Sequence, residues 1–93
     1  MSSTVTTPET QTRTRTLPPF KVVLHNDDLN SFEHVILTIL MVTPLEEKEA
    51  IERTIEAHEE GQAVLLVTNK ERAELYVEQF ASRSLIATCE PDA

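Results

Sequence analysis

Phe20-Lys-Val-Val-Leu-His-Asn-Asp-Asp28 holds the change of periodicity from which the rest of the chain can be laid out. Its first six residues alternate, with Phe20, Val22 and Leu24 against Lys21, Val23 and His25, which predicts a strand with one face more buried than the other. Its last three are turn and cap formers, because short amide and carboxylate side chains bond nearby backbone readily. A helix is therefore expected to open near Ser31. Asn30 with Glu33 fits a capping box, and Phe32, Val35, Ile36, Ile39 and Leu40 follow at helical spacing.

Further along, each change of pattern comes with its own punctuation. Thr43-Pro44-Leu45-Glu46 predicts a second helix with Thr43 as N-cap, Pro44 at the first helical position and Glu46 reaching back. That helix runs to about Glu60, and Gly61, the only glycine, is placed to end it in a left-handed cap. Ala63 to Thr68 is β-branched and leucine-rich over strand length; Ala73, Tyr76, Val77 and Phe80 mark a third helix; Leu85 to Glu90 makes a last strand. The order is β-α-α-β-α-β, an α+β fold in one small domain. The expected architecture is a three-stranded antiparallel sheet packed against three helices.

The 93 residues support a single modest core, with about 60 % of the unfolded surface buried at this size, which disfavours a large enclosed active site. From residue 21 onward six Lys/Arg face fifteen Asp/Glu, and the net charge is -8. Such a field repels phosphate backbones and anionic lipid, so neither nucleic acid nor a membrane is an expected partner, whereas a cationic group on a peptide is. Cys89 is the only cysteine, which excludes an internal disulfide and a four-thiolate metal site and fits a reducing, cytoplasmic setting. The longest apolar run, Val35 to Val42, is interrupted by Thr38 and too short to span a bilayer, and no export signal is visible at the start. Residues 1–19, mostly Ser and Thr before Leu17-Pro18-Pro19, are expected to be a disordered N-terminal extension preceding a folded domain over 20–93.

If the first two helices pack together, Asn26, Asp27, Asp28 and His58 surround one spot with an amide, two carboxylates and an imidazole. That set suits a primary ammonium group, which offers three donors and needs acceptors with negative charge nearby. Each member also has a plainer role: Asp27 and Asp28 precede a helix N-terminus, where the macrodipole favours them, and His58 follows Ile51, Thr54 and Ile55 on a helix face. A metal-dependent hydrolase built on His25, Asp27, Asp28, His34 and His58 is less favoured, because no H-x-x-x-H pair exists and His25 points away from Leu24 in a regular strand. No metal, no cofactor and no catalytic residue is expected. The C-terminal domain of the ribosomal stalk protein shares the element order, but one glycine and strong acidity argue against that module.

Lys21-Val-Val-Leu-His-Asn-Asp-Asp28, Phe32-Glu-His-Val35, Ala57-His58-Glu-Glu-Gly61 and Glu71-Arg-Ala-Glu74, in that order, resemble the ClpS family of N-end rule adaptors over roughly residues 20 to 90. The resemblance implies a binding module rather than an enzyme. Its substrates would be proteins with Leu, Phe, Tyr or Trp at the N-terminus (N-degrons), passed to the N-terminal domain of a ClpA- or ClpC-type unfoldase. By matching positions, Asn26 and His58 would contact the α-amino group with Asp27 and Asp28 in support. Asn30 would meet the peptide backbone, and Phe32, Val35, Thr54, Ala57 and Leu85 would line the side-chain pocket. Glu71 would face the unfoldase. Three of these positions depart from the family's usual choices: Phe32 and Thr54 stand in place of methionines, and Ala57 in place of valine. A phenylalanine rim is stiffer than a methionine one, and threonine adds a hydroxyl that must be satisfied.

Overall fold

The computed structural model describes residues 17–92; the tail expected over 1–19 lies outside the described residues as far as 16. Strand β1 (Phe20–His25) is followed by helices α1 (Phe32–Val42) and α2 (Glu47–Glu60), strand β2 (Gln62–Thr68), helix α3 (Lys70–Ala81) and strand β3 (Ala87–Pro91). The sheet order is β2-β1-β3, both neighbours antiparallel to the central β1. Consequently β2 and β3 run the same way with β1 between them, and α3 crosses over to join them. The α+β architecture is the expected one.

All three helices cover one face of the sheet. Val22, Leu24, Ala63, Leu65 and Ala87 supply the sheet side of the core, and Ile39, Ala50, Ala57, Ala73, Tyr76 and Phe80 the helix side. Five of these are alanines, whose small side chains let helix and strand backbones approach closely around the fully buried Phe80. The two faces of β1 differ less than the alternation predicts, since Val23, on the outer face, is as buried as Leu24. Its central position explains this: strands flank it on both sides. Between Val22 and Val23 the register with β2 slips by one residue, so that Val22 faces Leu66 and Val23 faces Val64. The bulge turns consecutive Leu65 and Leu66 toward the core.

The helix starts lie one to a few residues from where the sequence places them. Ser31, not Asn30, caps α1, its Oγ accepting from the His34 N–H at 3.1 Å. Thr43 does not open α2 but closes α1: its hydroxyl and its N–H both donate to the Ile39 carbonyl, at 2.8 and 2.9 Å. Helix α2 begins four residues later, at Glu47, where the Glu46 N–H donates to the Glu49 carboxylate at 3.2 Å. The Thr43 hydroxyl oxygen also accepts from the Leu45 N–H at 3.2 Å, so it serves the turn between the helices and Glu46 is left to open α2. Gly61 does end α2 in the left-handed region, with φ 95°. Strand β3 starts at Ala87 rather than Leu85, because the Leu85 N–H bonds back to the Phe80 carbonyl at 3.0 Å.

Candidate functional site

Three backbone ends converge where β1 stops. The His25 N–H donates to the Ile86 carbonyl at 2.9 Å, and the Asn26 N–H to the Gly61 carbonyl at 3.0 Å. The second bond holds Asn26 against the end of α2, the helix that carries His58. After it the chain turns away from the sheet because Asp27 gives it an alternative partner. One Asp27 oxygen accepts from the N–H groups of Leu29 (2.9 Å) and Asn30 (2.8 Å), and the Asn30 side-chain amide lies 3.2 Å from both oxygens. Burial pushes the Asp27 carboxyl up, but the hydrogen bonds from the Asn30 backbone and side chain and from Leu29, with His34 nearby, outweigh it and hold the carboxyl below its ordinary value.

A second tie fixes this loop from the other side. The Asn30 amide also donates to the Ser84 carbonyl at 2.8 Å, and His34 Nε2 donates to the Arg83 carbonyl at 2.8 Å. Both acceptors belong to the turn between α3 and β3, in which Ser84 holds a left-handed φ of 68°. That turn delivers Leu85, 3 % exposed, to the space between α1 and α2.

The result is a recess at one end of the molecule with an apolar interior and a polar mouth. Leu24, Phe32, Val35, Thr54, Ala57 and Leu85 line it together with His25, Asn26, Asp27 and Asn30. Thr54 is buried and its hydroxyl donates to the Ala50 carbonyl at 2.7 Å, so the extra polar group is satisfied within its own helix. His58 stands exposed beside the mouth, its ring edge-on to that of Phe32 with centroids 5.1 Å apart. Asn26 and Asp28 are exposed there too. The C-terminal, partially negative end of α2 points to the same place, which favours a cation at the mouth.

Of the residues singled out from the sequence, Asn26, Asp27, Asn30, Phe32, Val35, Thr54, Ala57 and Leu85 share one recess; His58 borders it through Phe32, and Asp28 lies on the loop that forms its mouth. Leu24, which the alternation places in the strand core, also lines the recess, and its place two residues before the turn is the signal for it. The residues weighed as metal ligands do not converge. The His25 imidazole pairs with the Thr88 hydroxyl at 2.8 Å, His34 bonds the Arg83 carbonyl, and among the described residues no three His, Cys, Asp or Glu groups come together to hold an ion. Glu71 is exposed on the first turn of α3, next to the end of β2 that pairs with Phe20, and so at the opposite end of the sheet from the recess. It borders a shallow depression of about 240 Å³ with Asn69, Arg72 and Leu75. Among the described residues no helix is long and apolar enough to cross a membrane.

Residues 15–87 match the family described as ATP-dependent Clp protease adaptor protein ClpS. The chain is 37 % identical over 90 residues to the ATP-dependent Clp protease adapter protein ClpS of Synechococcus elongatus, covering 96 % of this chain and 95 % of that one. It is 36 % identical over 76 residues to the chloroplastic adapter CLPS1 of Arabidopsis thaliana, covering 81 % of this chain and 48 % of that one. The structure of Agrobacterium tumefaciens ClpS2 bound to L-phenylalaninamide superposes with a TM-score of 0.75 at 28 % identity, over 81 % of this chain and 98 % of that one. With its β-α-α-β-α-β fold and these matches over most of its length, the chain belongs to the ClpS family of Clp protease adaptor proteins.

Proposed function

We propose that this adaptor holds proteins by a free N-terminal residue, taking the α-amino group at Asn26 and His58 and a large apolar side chain in the recess behind them. The observation that carries this is the juxtaposition itself: an amide and an imidazole at the mouth of an apolar recess lined by Phe32, Val35, Thr54, Ala57 and Leu85. The related Agrobacterium protein bound to L-phenylalaninamide supports it, since that ligand joins a free amine to an aromatic side chain. Neutral His58 and the Asn26 carbonyl accept from the ammonium group, and Asp28, with the end of α2, supplies negative potential. Asp27 acts through the loop it ties, and Asn30, held between Asp27 and Ser84, presents its remaining carbonyl to the peptide backbone. Residues 20–93 are the adaptor domain and 1–19 an extension of it.

Captured proteins bearing Leu, Phe, Tyr or Trp are then delivered in the cytoplasm to the N-terminal domain of a ClpA- or ClpC-type unfoldase, which docks around Glu71. The adaptor binds and transfers without chemistry on the peptide. The deciding experiment is fluorescence anisotropy with Leu- and Phe-initiated peptides, free and N-acetylated. The free amines bind and the acetylated peptides do not; equal affinity for the two forms would refute the amine site.

A further inference from the structure

Arg83 sits in the turn that closes one side of the recess, and its backbone is held from both ends. Its N–H donates to the Phe80 carbonyl at 3.0 Å, its own carbonyl accepts from His34 Nε2 at 2.8 Å, and the next residue, Ser84, accepts from the Asn30 amide. The side chain is half-buried, and its Nε is covered without any hydrogen-bond partner. A covered Nε means that the stem lies against the protein, which leaves the two terminal nitrogens as the donors that a ligand can meet. No carboxylate of the described residues forms an ion pair with them.

Among the described residues this is the one Lys or Arg beside the recess. Lys21 and Arg53 are paired, with Glu90 at 3.4 Å and with Glu56 at 3.5 Å. Lys48, Lys70 and Arg72 stand on the first turns of α2 and α3, the ends away from the recess. On the other side of the mouth, the exposed Glu59 and Glu60 finish α2. The two rims therefore differ in sign, negative at the end of α2 and positive at the turn after α3. An unpaired, partly desolvated cation whose stem is already ordered takes a carboxylate with less loss of side-chain freedom than a mobile surface lysine does.

We infer that Arg83 reads the third residue of the bound N-terminus and favours a carboxylate there. The inference rests on the first side chain occupying the recess and on the peptide backbone passing Asn30. Side chains alternate along an extended chain, so the second points away from the adaptor and the third returns to the surface that the first entered. An advance of about 3.3 Å per residue carries it past Asn30, whose amide is bonded to the residue next to Arg83. The preferred substrate class is thus an apolar first residue followed two places on by Asp or Glu, a dipolar segment that matches the two rims.

The test is fluorescence anisotropy with C-terminally labelled peptides that begin Leu-Ala-Glu, Leu-Ala-Gln or Leu-Ala-Lys, on the full chain unmodified and as Arg83→Gln and Arg83→Glu. The unmodified adaptor should bind the Glu peptide about 2- to 5-fold tighter than the Gln peptide, the size expected of a half-exposed ion pair. Arg83→Gln should abolish that ratio, and Arg83→Glu should make the Lys peptide the tightest. The sign decides without a variant should either one unfold: the net charge of -8 by itself disfavours a Glu peptide, so a Glu preference in the unmodified chain requires a local cation. Equal or weaker binding of the Glu peptide, or a Glu preference that survives Arg83→Gln, would overturn the assignment while leaving the amine site in place. Failure of all three free peptides to bind, or equal affinity for their acetylated forms, would instead overturn the recess reading on which it rests.

Discussion

Asp27 and His58 sit within one loop and one helix end of each other, and their chemistry divides structure from recognition. Asp27 is bonded inward: Leu29 and Asn30 occupy its oxygens, and its carboxyl is held below the ordinary value. Because the folded state favours the ionised form, its contribution to stability is present above the unfolded carboxylate value of ~3.9 and is lost as pH falls through the lower folded one. Asp27→Ala should therefore destabilise the domain by about 1 kcal/mol at neutral pH, like loss of a capping side chain, with the difference from the unmodified protein shrinking in acid. Thermal melts of both proteins from neutral to strongly acidic pH check it. His58 is exposed and can be altered without opening the core. His58→Ala should leave the melting temperature within a few degrees, yet weaken a Leu-initiated peptide by about 10-fold or more, since a hydrogen bond to a charged group contributes ~1.5–3 kcal/mol. Anisotropy titration reads this directly.

Among the elements, the end of α2 has the most attached to it. Gly61 terminates the helix at φ 95°, and its carbonyl also receives the Asn26 N–H. A Cβ there would meet no atom within 4 Å, so the cost of Gly61→Ala is backbone strain alone, about 1–2 kcal/mol for a non-glycine residue in the left-handed region. Denaturant unfolding should show that loss. Peptide affinity should fall in the same variant, since relaxing the cap moves the carbonyl that positions Asn26. At the start of α1 the equivalent test separates two neighbours. Ser31→Ala removes a cap bonded to the His34 N–H, whereas Asn30 ties the loop to Ser84 across the recess. The serine variant should lose about 1 kcal/mol of stability with peptide affinity little changed.

At the scale of the molecule, the sheet separates two surfaces. The recess lies at the end where β1 finishes and β2 begins, and Glu71 at the end where β1 begins and β2 finishes. Glu71→Arg should accordingly leave binding of a Leu-initiated peptide within experimental error of the unmodified adaptor while reducing degradation of a Leu-initiated protein by a ClpA- or ClpC-type unfoldase with its peptidase. A parallel loss of peptide affinity would mean that the two ends are not independent. Tyr76, five residues along the same helix, is 7 % exposed and belongs to the core, so it is not part of that surface.

Local chemistry and patterning in the sequence sufficed for the element order, the left-handed end of α2 and the grouping of Asn26, Asp27 and Asp28 after a strand. Periodicities of two and 3.6 residues, a single glycine and a run of turn formers each act over a few neighbours and can be read without a fold. Tertiary structure alone decided which of two adjacent cap formers would serve. Asn30 is drawn across to Ser84, leaving Ser31 to cap α1, and the Thr43 hydroxyl bonds the Ile39 carbonyl and the Leu45 N–H, leaving Glu46 to cap α2. It alone formed the recess as well. The distance from Phe32 to His58 depends on how α1 packs on α2, and the free volume behind them on four separate elements meeting. Both are sums over long-range packing, which no local pattern in the chain encodes.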